Sequence, residues 1–82
     1  MSDASVRIEV LLFAALAERV GRRRVPLALP ADARVSDVWS ALAVPGPAPA
    51  ALRHAVNAAW VDADHALRDG DTVALITPVS GG

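Results

Sequence analysis

The sequence predicts an α+β domain in which one layer of mixed sheet packs against one layer of helix. Three observations carry that reading. Strand-like runs alternate with two helical segments along the chain. Val35, Val38, Trp39 and Leu42 recur at i, i+3, i+4 and i+7, which draws one apolar stripe along a main helix. The turn Asp69-Gly70-Asp71 launches a final apolar run that ends in Pro78-Val79-Ser80-Gly81-Gly82.

Val6 to Phe13 begins with apolar/charged alternation and then turns apolar throughout, as a strand does when it enters a doubly covered position. Ala14 to Val20 is rich in helix formers and stops at Gly21. A second strand runs from Arg23 to Leu29, and Pro26, which has no backbone donor, assigns it to a sheet edge or a bulge. The main helix has two possible caps, Asp32 and Ser36, and ends at Pro45-Gly46-Pro47 within a loop from Val44 to Pro49. A further helical turn is expected at Leu52 to Ala55, a short strand at Val56 to Val61, a turn at Asp62 to His65 and the last strand at Thr72 to Ile76. A tail that works as a rigidly based arm requires this last strand to lie inside the sheet.

Eighty-two residues make a single domain, 1–82, with residues 79–82 read as a flexible reactive tail. A chain this small buries only ~60–65% of its unfolded surface, so a 54% hydrophobic composition leaves an apolar patch for a partner. The net charge of −1 offers no basic face for nucleic acid or an anionic membrane. No apolar run approaches a membrane span, and Met1 to Ser5 lacks the basic start of a secretory signal, so a cytoplasmic protein is expected. The absence of cysteine excludes disulfides, thiolate metal sites and a catalytic thiol. All eight basic residues are arginines, so no lysine is present to accept an acyl group and chains linked through lysine cannot form.

Asp62, Asp64, Asp69 and Asp71 resemble the alternate aspartates of a calcium loop. Counting from Asp62, however, Leu67 stands where glycine is required and no glutamate occupies the twelfth place, so they read as solvated turn residues. His54 and His65 lie on different elements without a third ligand at zinc spacing. Arg22-Arg23-Arg24 is a basic triplet that reads first as a solvated strand entry and only second as a rim contact for a phosphate or an acidic partner. Trp39 belongs to the core by its spacing, whereas Trp60 on a short strand fits core or interface equally well. No nucleophile–base set or phosphate-cradling glycine loop is present, so no catalysis is expected of the chain alone.

What remains as chemistry is the terminal carboxylate. Glycine has no Cβ, so a Gly-Gly end can lie extended in a channel too narrow for any side chain. A carboxylate is a poor acyl donor until adenylated. A sulfur nucleophile can then displace AMP and leave a thiocarboxylate, a way of carrying sulfur that needs no cysteine.

Phe13-Ala14-x-Leu16-x-Glu18-x-x-Gly21, Val56-Asn57, Leu67-x-Asp69-Gly70-Asp71-x-Val73-Ala74 and Pro78-Val79-Ser80-Gly81-Gly82 together resemble the small subunit of molybdopterin synthase over nearly the whole chain. The resemblance implies a ubiquitin-like β-grasp fold whose sheet clasps the main helix while the Gly-Gly tail projects away. It implies that a ubiquitin-activating-type adenylyltransferase activates Gly82 with ATP and that a sulfur donor protein supplies sulfur. The tail then enters the large synthase subunit, within a heterotetramer, to sulfurate a pyranopterin precursor. No cofactor is implied on the chain itself. Gly82 becomes the carrier residue and Gly81 the spacer in the channel, with Val79 and Ser80 at its entrance; the four reach ~13–14 Å when extended. Phe13 and Leu75 are the expected docking pair, with the reservation that a one-residue register shift turns a strand side chain inward.

Thr77 stands where the family often has a second proline, and Arg34 where it often has a threonine or serine cap. A carrier of the same fold serving thiamine or cysteine synthesis would have the same tail; the Phe13 to Glu18 segment favours molybdopterin. A protein modifier that joins Gly82 to lysines on targets and an interaction domain with an inert tail are the rivals from other classes.

Overall fold

The structure, a computed structural model, describes residues 5–77. Five strands, β1 (Ser5–Leu12), β2 (Arg24–Pro30), β3 (Arg53–Val56), β4 (Ala59–Val61) and β5 (Thr72–Ile76), form one sheet in the order β2-β1-β5-β3-β4. The β1–β5 pair is parallel and the other pairs are antiparallel, so the sheet is mixed. Two short helices, α1 (Ala14–Val20) and α2 (Asp37–Ala41), contribute to its covered face. β5 is the middle strand, hydrogen-bonded on both sides.

Alternation along β1 directs Val6, Ile8, Val10 and Leu12 into the core and Arg7, Glu9 and Leu11 to the opposite face. Val73 and Leu75 of β5, Leu16 of α1, Val35 and Val38 complete the inner layer, all but inaccessible to solvent. Each such side chain contributes about 1.5–3 kcal/mol by leaving water. The expectation that β1 becomes doubly covered is corrected: its alternation persists to the end, and Leu11 stays partly exposed on the outer face.

Pro26 lies on edge strand β2, where its missing donor is harmless. α1 spans the predicted residues and closes at Gly21, whose φ of 87° is left-handed and whose N–H donates to the Ala17 carbonyl at 2.8 Å. The main helix is shorter than its apolar stripe. The N–H groups of Val35 and Ser36 donate to the carbonyls of His65 and Ala63 at 2.9 and 2.8 Å, which ties the approach to the 63–65 segment and delays helix geometry until Asp37. Neither proposed cap acts as one: Ser36 makes no side-chain cap bond, and it is Asp37 Oδ2 that accepts from the Arg34 N–H at 2.8 Å.

The region from 52 to 61 differs most from expectation. Leu52 to Ala55 is not a helical turn, and Val56 to Val61 is not one strand. β3 and β4 are the arms of a tight hairpin whose corner residues, Asn57 and Ala58, have φ of 50° and 69°. Asn tolerates this conformation, but Ala in place of the usual glycine hides the turn from sequence inspection.

A polar latch fastens the start of β5. Asp71, the buried charged residue of the described chain, accepts from Asn57 Nδ2 at 3.0 Å and from the Arg68 N–H at 2.8 Å. Asn57 in turn accepts from the Thr72 N–H at 3.0 Å, and Asp69 accepts from the Arg7 N–H at 2.8 Å. The Asp-Gly-Asp turn thus joins β1, the hairpin and β5 at the end of the sheet opposite Ile76.

Candidate docking face and tail exit

Strand residues directly opposite one another share a face, so the pairing defines what the uncovered side presents. Leu11 pairs with Ala74, Ala74 with Ala55, and Ala55 with Trp60, forming an apolar row across four strands. The next level towards the sheet end holds Ile76 beside Arg53, and Phe13 follows just past the end of β1. Trp60 is 63% exposed and Phe13 50% exposed. Two alanines at the centre with larger groups around them make a shallow apolar surface, the kind that marks an interaction site. No helix among the described elements packs on this side.

Phe13 therefore lies where the sequence places it, exposed at the sheet end. Leu75 does not. Its exposure is 0%, because it pairs with Leu12 and His54 on the core side, and this corrects its assignment to the docking patch. The alternate residue Ile76 lies on the uncovered face instead, with Leu11 and Trp60. The register was the missing information: shifting by one residue exchanges the two faces of a strand.

The tail residues Val79, Ser80, Gly81 and Gly82 lie outside the described residues. Their base is described. β5 ends at Ile76 between the end of β1 and the start of β3, and Thr77 follows. A central strand held by two ladders fixes the position of Ile76 beside the apolar face. That arrangement suits delivery of an extended segment into a partner.

His54 is partly buried at this end of β3, and burial lowers its pKa from the ordinary value. It lines a depression of about 340 Å³ with Arg53, Trp60 and Asp62. Among the described residues no group of His, Cys, Asp or Glu could hold a metal ion, and no helix is long and apolar enough to cross a membrane.

A mixed five-stranded sheet packed with helices on one face, and a last strand at its centre, define a ubiquitin-like β-grasp domain. Residues 10–82 match the ThiS family, and the chain belongs to it. Small archaeal modifier protein 1 of Haloferax volcanii shares 34% identity with a TM-score of 0.80, over 93% of this chain and 99% of that one. A putative molybdopterin converting factor subunit 1 from Pyrococcus furiosus shares 29% identity with a TM-score of 0.75, over 90% and 99%. A ubiquitin from Caldiarchaeum subterraneum, at 20% identity and a TM-score of 0.66 over 96% and 100%, shares the fold. The ThiS match includes the segment from Phe13 to Glu18.

Proposed function

We propose that the chain is a sulfur carrier for molybdopterin synthesis whose reactive group is the carboxylate of Gly82. A ubiquitin-activating-type adenylyltransferase forms the Gly82 acyl adenylate from ATP with release of pyrophosphate. Hydrosulfide supplied by a donor protein displaces AMP, and the resulting thiocarboxylate enters the large synthase subunit, where its sulfur bonds to the pyranopterin precursor and water cleaves the acyl–sulfur bond. The free carboxylate then returns for another cycle. The observation that carries this reading is the central position of β5, which starts the Pro-Val-Ser-Gly-Gly tail from a rigid base beside an uncovered apolar face. Likeness to the molybdopterin converting factor supports the pathway.

A second reading has an observation of its own. The likeness to small archaeal modifier protein 1 favours conjugation of Gly82 to lysines of other proteins through the same adenylate. Lacking lysine, this chain would be attached singly, without lysine-linked extension.

Accurate mass after incubation with ATP, the cognate adenylyltransferase and a sulfur source separates these. Exchange of one oxygen for sulfur in the C-terminal peptide supports the carrier. The peptide must be isolated, because oxidation of Met1 gives nearly the same shift. Lysine-linked adducts recovered from lysate, with the synthase subunit inert towards the chain, would replace it by the modifier. No change with a demonstrably active enzyme would remove both.

A further inference from the structure

Arg22, Arg23 and Arg24 stand at the sheet end from which the tail leaves. Arg24 pairs with Leu11, and the Arg23 carbonyl accepts from the N–H of Leu12, which is level with Leu75. All three side chains are exposed, and among the described residues only Arg24 has an ion-pair partner, Glu9 at 3.5 Å.

These arginines wall a groove. A depression of about 350 Å³ is lined by Leu11, Leu12, Phe13, Ala14, Arg23 and Arg24. A second, of about 440 Å³, shares Ala14 and Arg23 and extends along α1 to Arg22, with Glu18 among its lining residues. Apolar and cationic residues thus line the groove together, with Phe13 among them.

Geometry decides what covers it. β2 lies two strands from β5, about 10 Å away. A stable interface covers roughly 800 Å² per partner, a disc of about 16 Å radius. A protein that grips the chain at Thr77 and covers Phe13 therefore has Arg23 within the reach of its footprint. Guanidinium groups taken from water without counter-charges are costly, so the covering surface must carry anions. Carboxylates match the guanidinium fork in two parallel hydrogen bonds.

We infer that the adenylyltransferase, which receives the tail for activation, presents an acidic segment to this groove, with an apolar side chain against Leu11–Ala14 and carboxylates on Arg22 and Arg23. Glu18 repels a carboxylate placed along α1 and so leaves the two arginines as the seats. This assignment rests on the carrier reading, since it takes the tail's recipient as the occupant. The competing occupant is a phosphate group.

The test compares the wild-type chain with an R22E/R23E variant against the cognate adenylyltransferase. Association rates are measured without ATP at about 50 and 300 mM salt, where screening lengths differ. C-terminal sulfur exchange is followed separately in the full reaction. Wild-type association is expected to slow several-fold at the higher salt. The variant should associate at least roughly tenfold more slowly at low salt, with little further salt dependence and an unchanged thermal midpoint. A variant rate within twofold of wild type at low salt overturns the inference while leaving the carrier reading intact. So does an equal loss when inorganic phosphate is added to the wild type, which would assign the seat to phosphate. Absence of sulfur exchange in the wild type itself removes the carrier reading and this inference with it.

Discussion

Asn57 donates from Nδ2 to Asp71 Oδ1 at 3.0 Å, and this bond joins the corner of the β3–β4 hairpin to the turn that starts β5. Asn57 also exchanges bonds with Thr72, donating from its N–H to the Thr72 carbonyl at 2.8 Å and accepting from the Thr72 N–H. One side chain thus anchors the first residue of the strand that carries the tail.

Replacing Asn57 with Ala leaves the Asp71 carboxylate, already almost removed from solvent, without one of its donors. The expected loss is about 1–3 kcal/mol of folding free energy. Urea unfolding checks it. A double-mutant cycle with Asp71→Ala should show coupling of at least about 0.5 kcal/mol, because the two residues share one network.

Ala58 holds φ of 69° at the hairpin corner, a conformation in which its Cβ crowds the following carbonyl. Ala58→Gly relieves that crowding. The variant should gain about 0.5–1 kcal/mol, seen as a higher denaturation midpoint with the unfolding slope unchanged.

Leu75 and Trp60 should separate stability from binding. Leu75→Ala opens a cavity at a fully buried site and should cost about 2–5 kcal/mol. Trp60→Ala and Phe13→Ala remove exposed rings and should leave the midpoint nearly unchanged, while weakening binding to the activating enzyme by roughly tenfold or more. Calorimetric titration beside thermal unfolding reads both quantities. Equal binding by Trp60→Ala and wild type would show that the outer face is not the docking surface.

His54 gives the domain an acid-sensitive component. Burial lowers its folded pKa below the unfolded value of 6.5, so the unfolded chain binds the proton more readily. Its contribution is complete above pH 6.5 and declines as pH falls from there towards the lower folded value. Stability measured from about pH 7.5 to 5.5 should therefore fall on acidification, and His54→Gln should flatten that portion of the curve.

Much of this architecture was legible in the residues. α1 could be read from Ala14 to Val20 because its helix formers are followed at once by Gly21, and β2 was placed at an edge by Pro26 alone. The β3–β4 hairpin was not legible. Its signal is normally a glycine at the corner, and here Ala58 occupies the left-handed position that neighbouring hydrogen bonds impose. The main helix was overestimated for a related reason: Val35 belongs to the apolar stripe, but its N–H bonds to His65, a partner thirty residues away.

The sequence by itself determined the inventory of side chains: no cysteine or lysine, a helix stop at Gly21, an edge proline at Pro26, and a surplus of apolar residues for so small a fold. These depend only on residue identity and local order. Tertiary structure alone decided which apolar residues stay outside. Leu75 and Ile76 are neighbours of similar character, and no local preference distinguishes them. The pairing of β5 with β1 and β3 does, by directing Leu75 against the helices and leaving Ile76 beside Arg53 on the uncovered face. The uncovered apolar face is thus a product of register, a relation between strands distant in sequence, which no inventory of residues contains.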